Sequence, residues 1–189
     1  MNRRITGKKI GIIGYGGIGK AVAGIARNLG LKILVVSRSG TKNDEEFFGS
    51  MDDIDYVLSN SDIIVISLPL SNLTRGLIDS SKLGIMKRDA ILINVARAEI
   101  VDQEALFRHL SENKDFKAGI DVWWVEPLSK GRFETEYPFL EMENVIGSPH
   151  NSSMADGETV FAYEQALNNI LRFVRNESVH NIVNRSDYA

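Results

Sequence analysis

Three glycines, Gly14, Gly16 and Gly19, separate the short apolar run at 10–13 from a stretch with helical patterning that ends near Gly30. Each has its own physical reason. The first permits a tight turn out of a strand, the second lets the backbone approach a pyrophosphate, and the third lets the new helix pack closely on the strand. The unpaired N–H groups and the positive dipole end of that helix then face the phosphates. Tyr15, Gly17 and Ile18 complete the turn. Farther on, polar residues interrupt apolar strands at their carboxyl ends: Arg38, Asn94, Arg97, Asp121, Glu126 and His150. Taken singly, each has a plain explanation. Arg97 can be a surface cation past a strand, Glu126 a loop charge before Pro127, and His150 a structural histidine after Ser-Pro.

These residues need a frame, and the hydrophobic pattern supplies one. Apolar stretches at 10–13, 32–36, 63–67, 90–94, 118–122 and 144–146 read as strands, and the one at 63–67 is continuous in apolar character, as strands buried on both faces are. Helical segments fall between them, at 52–58, at 80–86 and from an Asp102 cap to residue 110. Residues 133–142 read as a polar, aromatic loop, and residues 154–174 as one long helix. Strand and helix alternate without internal repeat or linker. The pattern predicts a doubly wound parallel sheet of the Rossmann type with a long C-terminal helix. A dinucleotide-binding domain is expected over residues 1–150. Residues 151–189 would complete the same domain or reach toward a substrate domain. In such sheets ligands sit at the carboxyl ends of the strands, where the polar residues fall.

Composition narrows the function further. The 189 residues are 43% hydrophobic and 25% charged, with a net charge of -3, which gives no electrostatic reason to expect nucleic acid or a membrane surface as partner. The absence of cysteine excludes disulfides and thiolate catalysis and fits a cytoplasmic setting. The glycine-interrupted start, with Lys20 inside it, does not read as a secretory signal, and no apolar run is long enough to span a bilayer. The three histidines lack metal-ligand spacing, so no metal is expected. His109 is expected on an exposed helix face and His180 in a polar tail. Trp123 and Trp124 read as one core residue and one interface or site-wall residue, in either order.

The segments GIIGYGGIGKAVA, SLPLSNLTRGLI, ILINVARAEIVDQEAL, GIDVWWVEP and NVIGSPHNS, in this order and spacing, resemble the D-isomer-specific 2-hydroxyacid dehydrogenases, as does the closing NIVNRSDY. The resemblance implies an oxidoreductase that moves a hydride between a nicotinamide cofactor and a small 2-keto or 2-hydroxy acid. It implies His150 as general acid/base, Glu126 as the partner that fixes its tautomer and favours its charged form, and Arg97 as the clamp on the substrate's carboxylate and keto oxygen. Asp121 would position the nicotinamide carboxamide. Leu68, Pro69, Thr74, Val95, Ala96, Arg97 and His150 would line the cofactor together with the glycine turn. A homodimer through the nucleotide-binding domain is implied, with the apolar content of 100–139 as its candidate surface. Ala98 stands where the family usually has glycine, which restricts the backbone there. The family's N-terminal substrate-binding region has no counterpart before Asn2. A reading from another class is a non-catalytic nucleotide-binding module for dimerisation or redox sensing.

Cofactor choice rests on the loop after the second strand. An NAD enzyme would place Asp or Glu about 20 residues beyond the glycine turn. This sequence has Ser37, Arg38 and Ser39 there, and no carboxylate before Asp44. A ribose 2′-phosphate would meet the Arg38 guanidinium and neighbouring hydroxyls, with Lys42 adding charge. The expectation is NADP(H) preferred and NAD(H) possible; the alternative is that Arg38 stacks on adenine or points to solvent.

Overall fold

The computed structural model describes residues 4–38 and 45–182. The chain divides into two compact units, Met1–Pro149 and His150–Ala189. In the first unit, seven strands among the described residues form one parallel sheet. They are β1 (Lys9–Ile13), β2 (Lys32–Val36), β3 (Phe47–Gly49), β4 (Ile63–Ile66), β5 (Ile91–Asn94), β6 (Lys117–Ile120) and β7 (Val145–Gly147). The spatial order is β3-β2-β1-β4-β5-β6-β7, so the winding reverses between β1 and β4. The crevice at that reversal is where doubly wound sheets hold ligands. The helices are α1 (Gly17–Asn28), α2 (Ile54–Asn60), α3 (Ser80–Ile85), α4 (Gln103–Glu112) and the single turn α5 (Pro127–Lys130).

Strand alternation builds two cores. Ile10 and Ile12 of β1 join Ile33, Val35 and Val65 beneath α1, whose small buried residues Ala23 and Ala26 let it lie close. Ile13, Leu34, Val36, Ile64 and Ile66 point the other way and pack with Val57, Leu58, Leu83, Leu106 and Leu110 of α2, α3 and α4. Caps fix where helices begin. The Asp79 carboxylate accepts from the Lys82 N–H at 2.9 Å, and Asp102 accepts from the Ala105 N–H at 2.8 Å. Gly30, at φ 72, follows the end of α1 and donates its N–H to the Arg27 carbonyl.

The differences from the sequence reading have local causes. Strand β3 was not anticipated, because three half-buried residues on a sheet edge are too few to show a period. The loop expected at 133–142 contains a 3₁₀ turn, Phe139–Glu141, around the fully buried Phe139. His109 is half-buried rather than exposed, edge-on to Phe116 with ring centroids 4.5 Å apart. Burial also lowers its pKa below the ordinary value. The surface expected within 100–139 is mostly core: Ile100, Val101, Leu106, Leu110, Phe116, Trp123 and Phe139 are buried.

In the second unit, α6 (Glu158–Val174) starts four residues later than the apolar pattern suggests. Gly157 precedes it at φ 83, in the left-handed region, and the helix cannot extend back through it. None of its residues is buried. The stripe Val160, Tyr163, Leu167, Ile170, Leu171 and Val174 recurs at three- and four-residue spacing and is exposed throughout. Beyond it, the Asn169 amide exchanges two hydrogen bonds with the His180 backbone, at 2.9 and 3.0 Å. No helix among the described residues is long and apolar enough to cross a membrane.

Candidate functional site

The glycine turn has the shape that its spacing calls for. Gly14 sits at φ 97, and a Cβ on it would lie 2.9 Å from the Leu68 backbone nitrogen. A Cβ on Gly19 would collide with the Gly14 carbonyl oxygen and come within 3.1 Å of Ser67 Oγ. Ser67 in turn donates to that carbonyl at 2.9 Å, which ties the end of β4 to the turn. Gly16 is different. A Cβ there would meet nothing within 4 Å, and its φ of -79 is open to any residue. Space above Gly16 is therefore not filled by the protein itself. Gly16 is also the N-cap of α1, with no side chain capping the helix and no acidic residue in its first turn. The first-turn N–H groups there are suited to an anion. This chemistry fits a dinucleotide pyrophosphate.

Around the turn, Gly17 and Ile18 are exposed, whereas Tyr15 is buried. Its ring lies edge-on to Phe48 at 5.5 Å, and its hydroxyl donates to the buried Glu45 carboxylate. Burial first, and then that carboxylate, raise the tyrosine's pKa above its ordinary value. Any contact of Tyr15 with a ligand is thus left to its backbone. Arg27 of α1 places a guanidinium nitrogen 3.7 Å from the same Glu45 carboxylate. Ser37 continues the β2–β3 pairing, its N–H donating to the Gly49 carbonyl at 3.1 Å, and Arg38 beyond it is exposed. Ser39, Lys42 and Asp44 lie outside the described residues.

After β4, Leu68 is buried and Pro69 exposed. The Thr74 hydroxyl closes this loop on itself, donating to the Pro69 carbonyl and accepting from the Ser71 N–H, both at 2.8 Å. After β5, the buried Asn94 amide brackets the next turn. Its Nδ2 donates to the Arg97 carbonyl at 2.9 Å, and its Oδ1 accepts from the Ala96 N–H at 3.1 Å. Val95 is half-buried and Ala96 buried, while Arg97 is exposed with extended backbone and donates from Nη1 to the Ala96 carbonyl at 2.7 Å. Ala98, expected to constrain this turn, is buried and is not among the positive-φ residues. The turn does not need glycine.

The remaining expected residues of the first unit continue along the same edge of the sheet. Asp121, 5% exposed, donates its N–H to the Asn94 carbonyl at 3.1 Å. Ser148, just past β7, donates its hydroxyl to Asp121 Oδ1 at 2.6 Å. The Trp123 indole donates to the Ser148 carbonyl at 2.8 Å, and the Trp123 N–H donates to Glu126 Oε1 at 2.6 Å. Trp123 is therefore the core tryptophan. Trp124 is half-buried, stacked on Phe139, with its indole on the Val101 carbonyl at 3.1 Å. Glu126 sits at the N-cap of α5, whose first residue is Pro127. Sequence reasoning did not single out Ser148, and it left open whether Trp123 or Trp124 was the core residue. The only trace of Ser148 was the Ser-Pro-His context. His150, the first residue of the second unit, follows Pro149 in a left-handed conformation at φ 54. Non-glycine residues rarely adopt that region, and such outliers cluster at functional positions.

Residues 1–152 match the family model described as D-isomer specific 2-hydroxyacid dehydrogenase, NAD binding domain. The chain is 36% identical over 182 residues to a glyoxylate reductase of Thermococcus kodakarensis, covering 96% of this chain and 53% of that protein. It thus spans about half the length of that curated relative. Among solved structures, a D-isomer-specific 2-hydroxyacid dehydrogenase of Xanthobacter autotrophicus in complex with NADPH and MES superposes with a TM-score of 0.85 at 32% identity. That match covers 100% of this chain and 76% of the other. A D-lactate dehydrogenase with NAD+ from Lactobacillus jensenii gives a TM-score of 0.80 at 32% identity, covering 98% and 58%. The chain belongs to the D-isomer-specific 2-hydroxyacid dehydrogenase family and matches its nicotinamide-nucleotide-binding domain.

Proposed function

We propose that this chain is the cofactor-binding half of a 2-keto acid reductase that prefers NADPH. The observation that carries the reading is the joining of Arg97, Asp121 and Glu126 into one hydrogen-bonded row at the carboxyl edge. The row shares its edge with an uncapped helix N-terminus whose glycine faces open space. The nicotinamide, when bound, supplies the hydride. Arg97 holds the substrate's carboxylate and keto oxygen with its planar fork of donors. His150 would give a proton to the substrate's keto oxygen as that carbonyl is reduced to the hydroxyl of the 2-hydroxy acid. Glu126 is assigned the other imidazole nitrogen, and Asp121 the carboxamide. The glycine turn, with Leu68, Pro69, Thr74, Val95 and Ala96, lines the cofactor.

NADPH is favoured because Arg38 is exposed at the end of β2, where an NAD enzyme would have a carboxylate. Glu45 does not replace that carboxylate, being buried on Tyr15 beside Arg27. Residues 151–189 are assigned to packing against a substrate domain, since the apolar stripe of α6 is uncovered. We assign the homodimer contact to α1. Its small face packs on the sheet, whereas Ile25 and, at the C-cap, Leu29 are 62% and 48% exposed four residues apart. A monomeric mass at high micromolar concentration would contradict that contact. A cytoplasmic location fits a chain without cysteine.

The test joins this chain to the N-terminal region of a glyoxylate reductase relative and follows NADPH oxidation with glyoxylate, hydroxypyruvate and other 2-keto acids. Turnover by the joined protein is expected, with little by the 189-residue chain alone, because half of the cleft would be missing. Dinucleotide binding without turnover in the joined protein would instead favour a non-catalytic module.

A further inference from the structure

We propose that Ser148 is a positioning residue for the nicotinamide end of the site, acting through Asp121. The inference rests on the nucleotide-binding reading above and adds to it a residue with no assigned role. Ser148 is held on three sides. Its N–H donates to the Ile120 carbonyl at 2.9 Å, and its carbonyl accepts from the Trp123 indole at 2.8 Å. Its hydroxyl donates to Asp121 Oδ1 at 2.6 Å. The first two bonds use peptide groups and need no serine, but the third needs a hydroxyl.

That third bond has a definite consequence. Asp121 is almost fully buried and its backbone N–H is held by the Asn94 carbonyl, so the direction of its carboxylate depends on the groups that bond it. A hydroxyl donating to one carboxylate oxygen is a short, charge-assisted bond that sets the plane of the group. The direction in which the carboxylate accepts from a carboxamide NH₂ is set with it. Ser148 also stands mid-row. On one side Asp121 and Asn94 lead to the Arg97 carbonyl, and on the other the Trp123 indole leads to the Glu126 carboxylate. Removing the hydroxyl cuts this row while sparing both backbone bonds, so the strand end stays in place. The effect is confined to the part of the ligand that Asp121 touches.

The experiment is calorimetric titration of the wild-type chain, Ser148→Ala and Ser148→Thr. NADPH is compared with 2′-phospho-ADP-ribose, which lacks the nicotinamide, and NADH with ADP-ribose. Ser148→Ala should weaken the preferred dinucleotide about tenfold, in keeping with loss of a hydrogen bond to a charged group. The corresponding fragment should change less than about twofold, and Ser148→Thr should restore dinucleotide affinity. Unchanged fragment binding also reports that the variant is folded. Equal weakening of dinucleotide and fragment, no weakening of the dinucleotide, or no rescue by threonine would overturn the role of Ser148. A wild-type chain that binds none of the four ligands would overturn the nucleotide-binding reading itself, and this proposal with it.

Discussion

The two edges of the sheet use charge in opposite ways. At the amino edge, opposite charges close on one another. Asp62 accepts from the Lys9 N–H at 2.8 Å and lies 3.1 Å from Lys87 Nζ and 3.4 Å from Lys8 Nζ. Glu46 lies 3.4 Å from Lys9 Nζ and 3.3 Å from Lys32 Nζ. At the carboxyl edge, hydrogen bonds tie charged residues to peptide groups and to a hydroxyl. Arg97 is bonded to a carbonyl, Glu126 to an N–H and Asp121 to Ser148. One edge fastens strand starts together, and the other fixes the direction of groups beside a cleft. Changes at the carboxyl edge should therefore alter ligand chemistry more than stability, and changes at the amino edge the reverse.

The largest effect is expected at His150. In the protein joined to a substrate region, His150→Ala should lower kcat by about 10²–10⁴-fold, the usual range for a lost general acid or base. Cofactor affinity should stay nearly intact. Near-normal turnover would remove His150 from the mechanism. A smaller effect is expected from Arg38→Asp, which should lose or reverse the NADPH preference by about tenfold or more, as the dissociation constants of NADPH and NADH would show. Equal binding of both cofactors by the wild-type chain, or tighter NADH, would contradict the role of Arg38.

The smallest effect belongs to the amino edge. Burial on its own would raise the Asp62 pKa, but the Lys9 N–H and the Lys87 and Lys8 charges outweigh it and hold the carboxyl below its ordinary 3.8. A carboxyl depressed in the folded state stabilises the fold above its unfolded pKa, and that contribution is lost as pH falls through the folded value. Urea unfolding of Asp62→Asn should therefore show less loss of stability than wild type as the pH is lowered below about 4. Parallel acid limbs for the two proteins would show that this cluster carries no such contribution.

The contrast between the edges also explains what was legible in the sequence. The glycine turn could be read because Gly14 and Gly19 answer backbone demands within six residues of chain and Gly16 stands between them at the family's spacing. The central strands could be read because burial on both faces leaves continuous apolar runs. Strand β3 escaped because it is three residues long on the sheet's edge. The carboxyl-edge row escaped for a different reason. Ser148 and Trp123 are 25 residues apart in sequence and meet only because β6 and β7 pair in register. Polar types at strand ends pointed to one edge of the sheet, but not to which hydroxyl would meet which carboxylate. Tyr15 shows the same limit, since its place in the glycine motif gave no sign that its side chain would be buried against Phe48 and Glu45.

The central claim is that the open face above Gly16 receives a dinucleotide pyrophosphate, and a pair of glycine variants tests it most directly. Thermal unfolding and NADPH titration of Gly16→Val and Gly19→Ala separate a glycine kept for a ligand from one kept for packing. Gly16→Val places its side chain in open space and should cost less stability than Gly19→Ala, only the loss of a favourable N-cap, but lose NADPH and NADH binding. Gly19→Ala presses a methyl group onto the Gly14 carbonyl and should cost about 1–3 kcal/mol of stability. A Gly16→Val chain that folds and binds the dinucleotide as tightly as wild type would contradict the account.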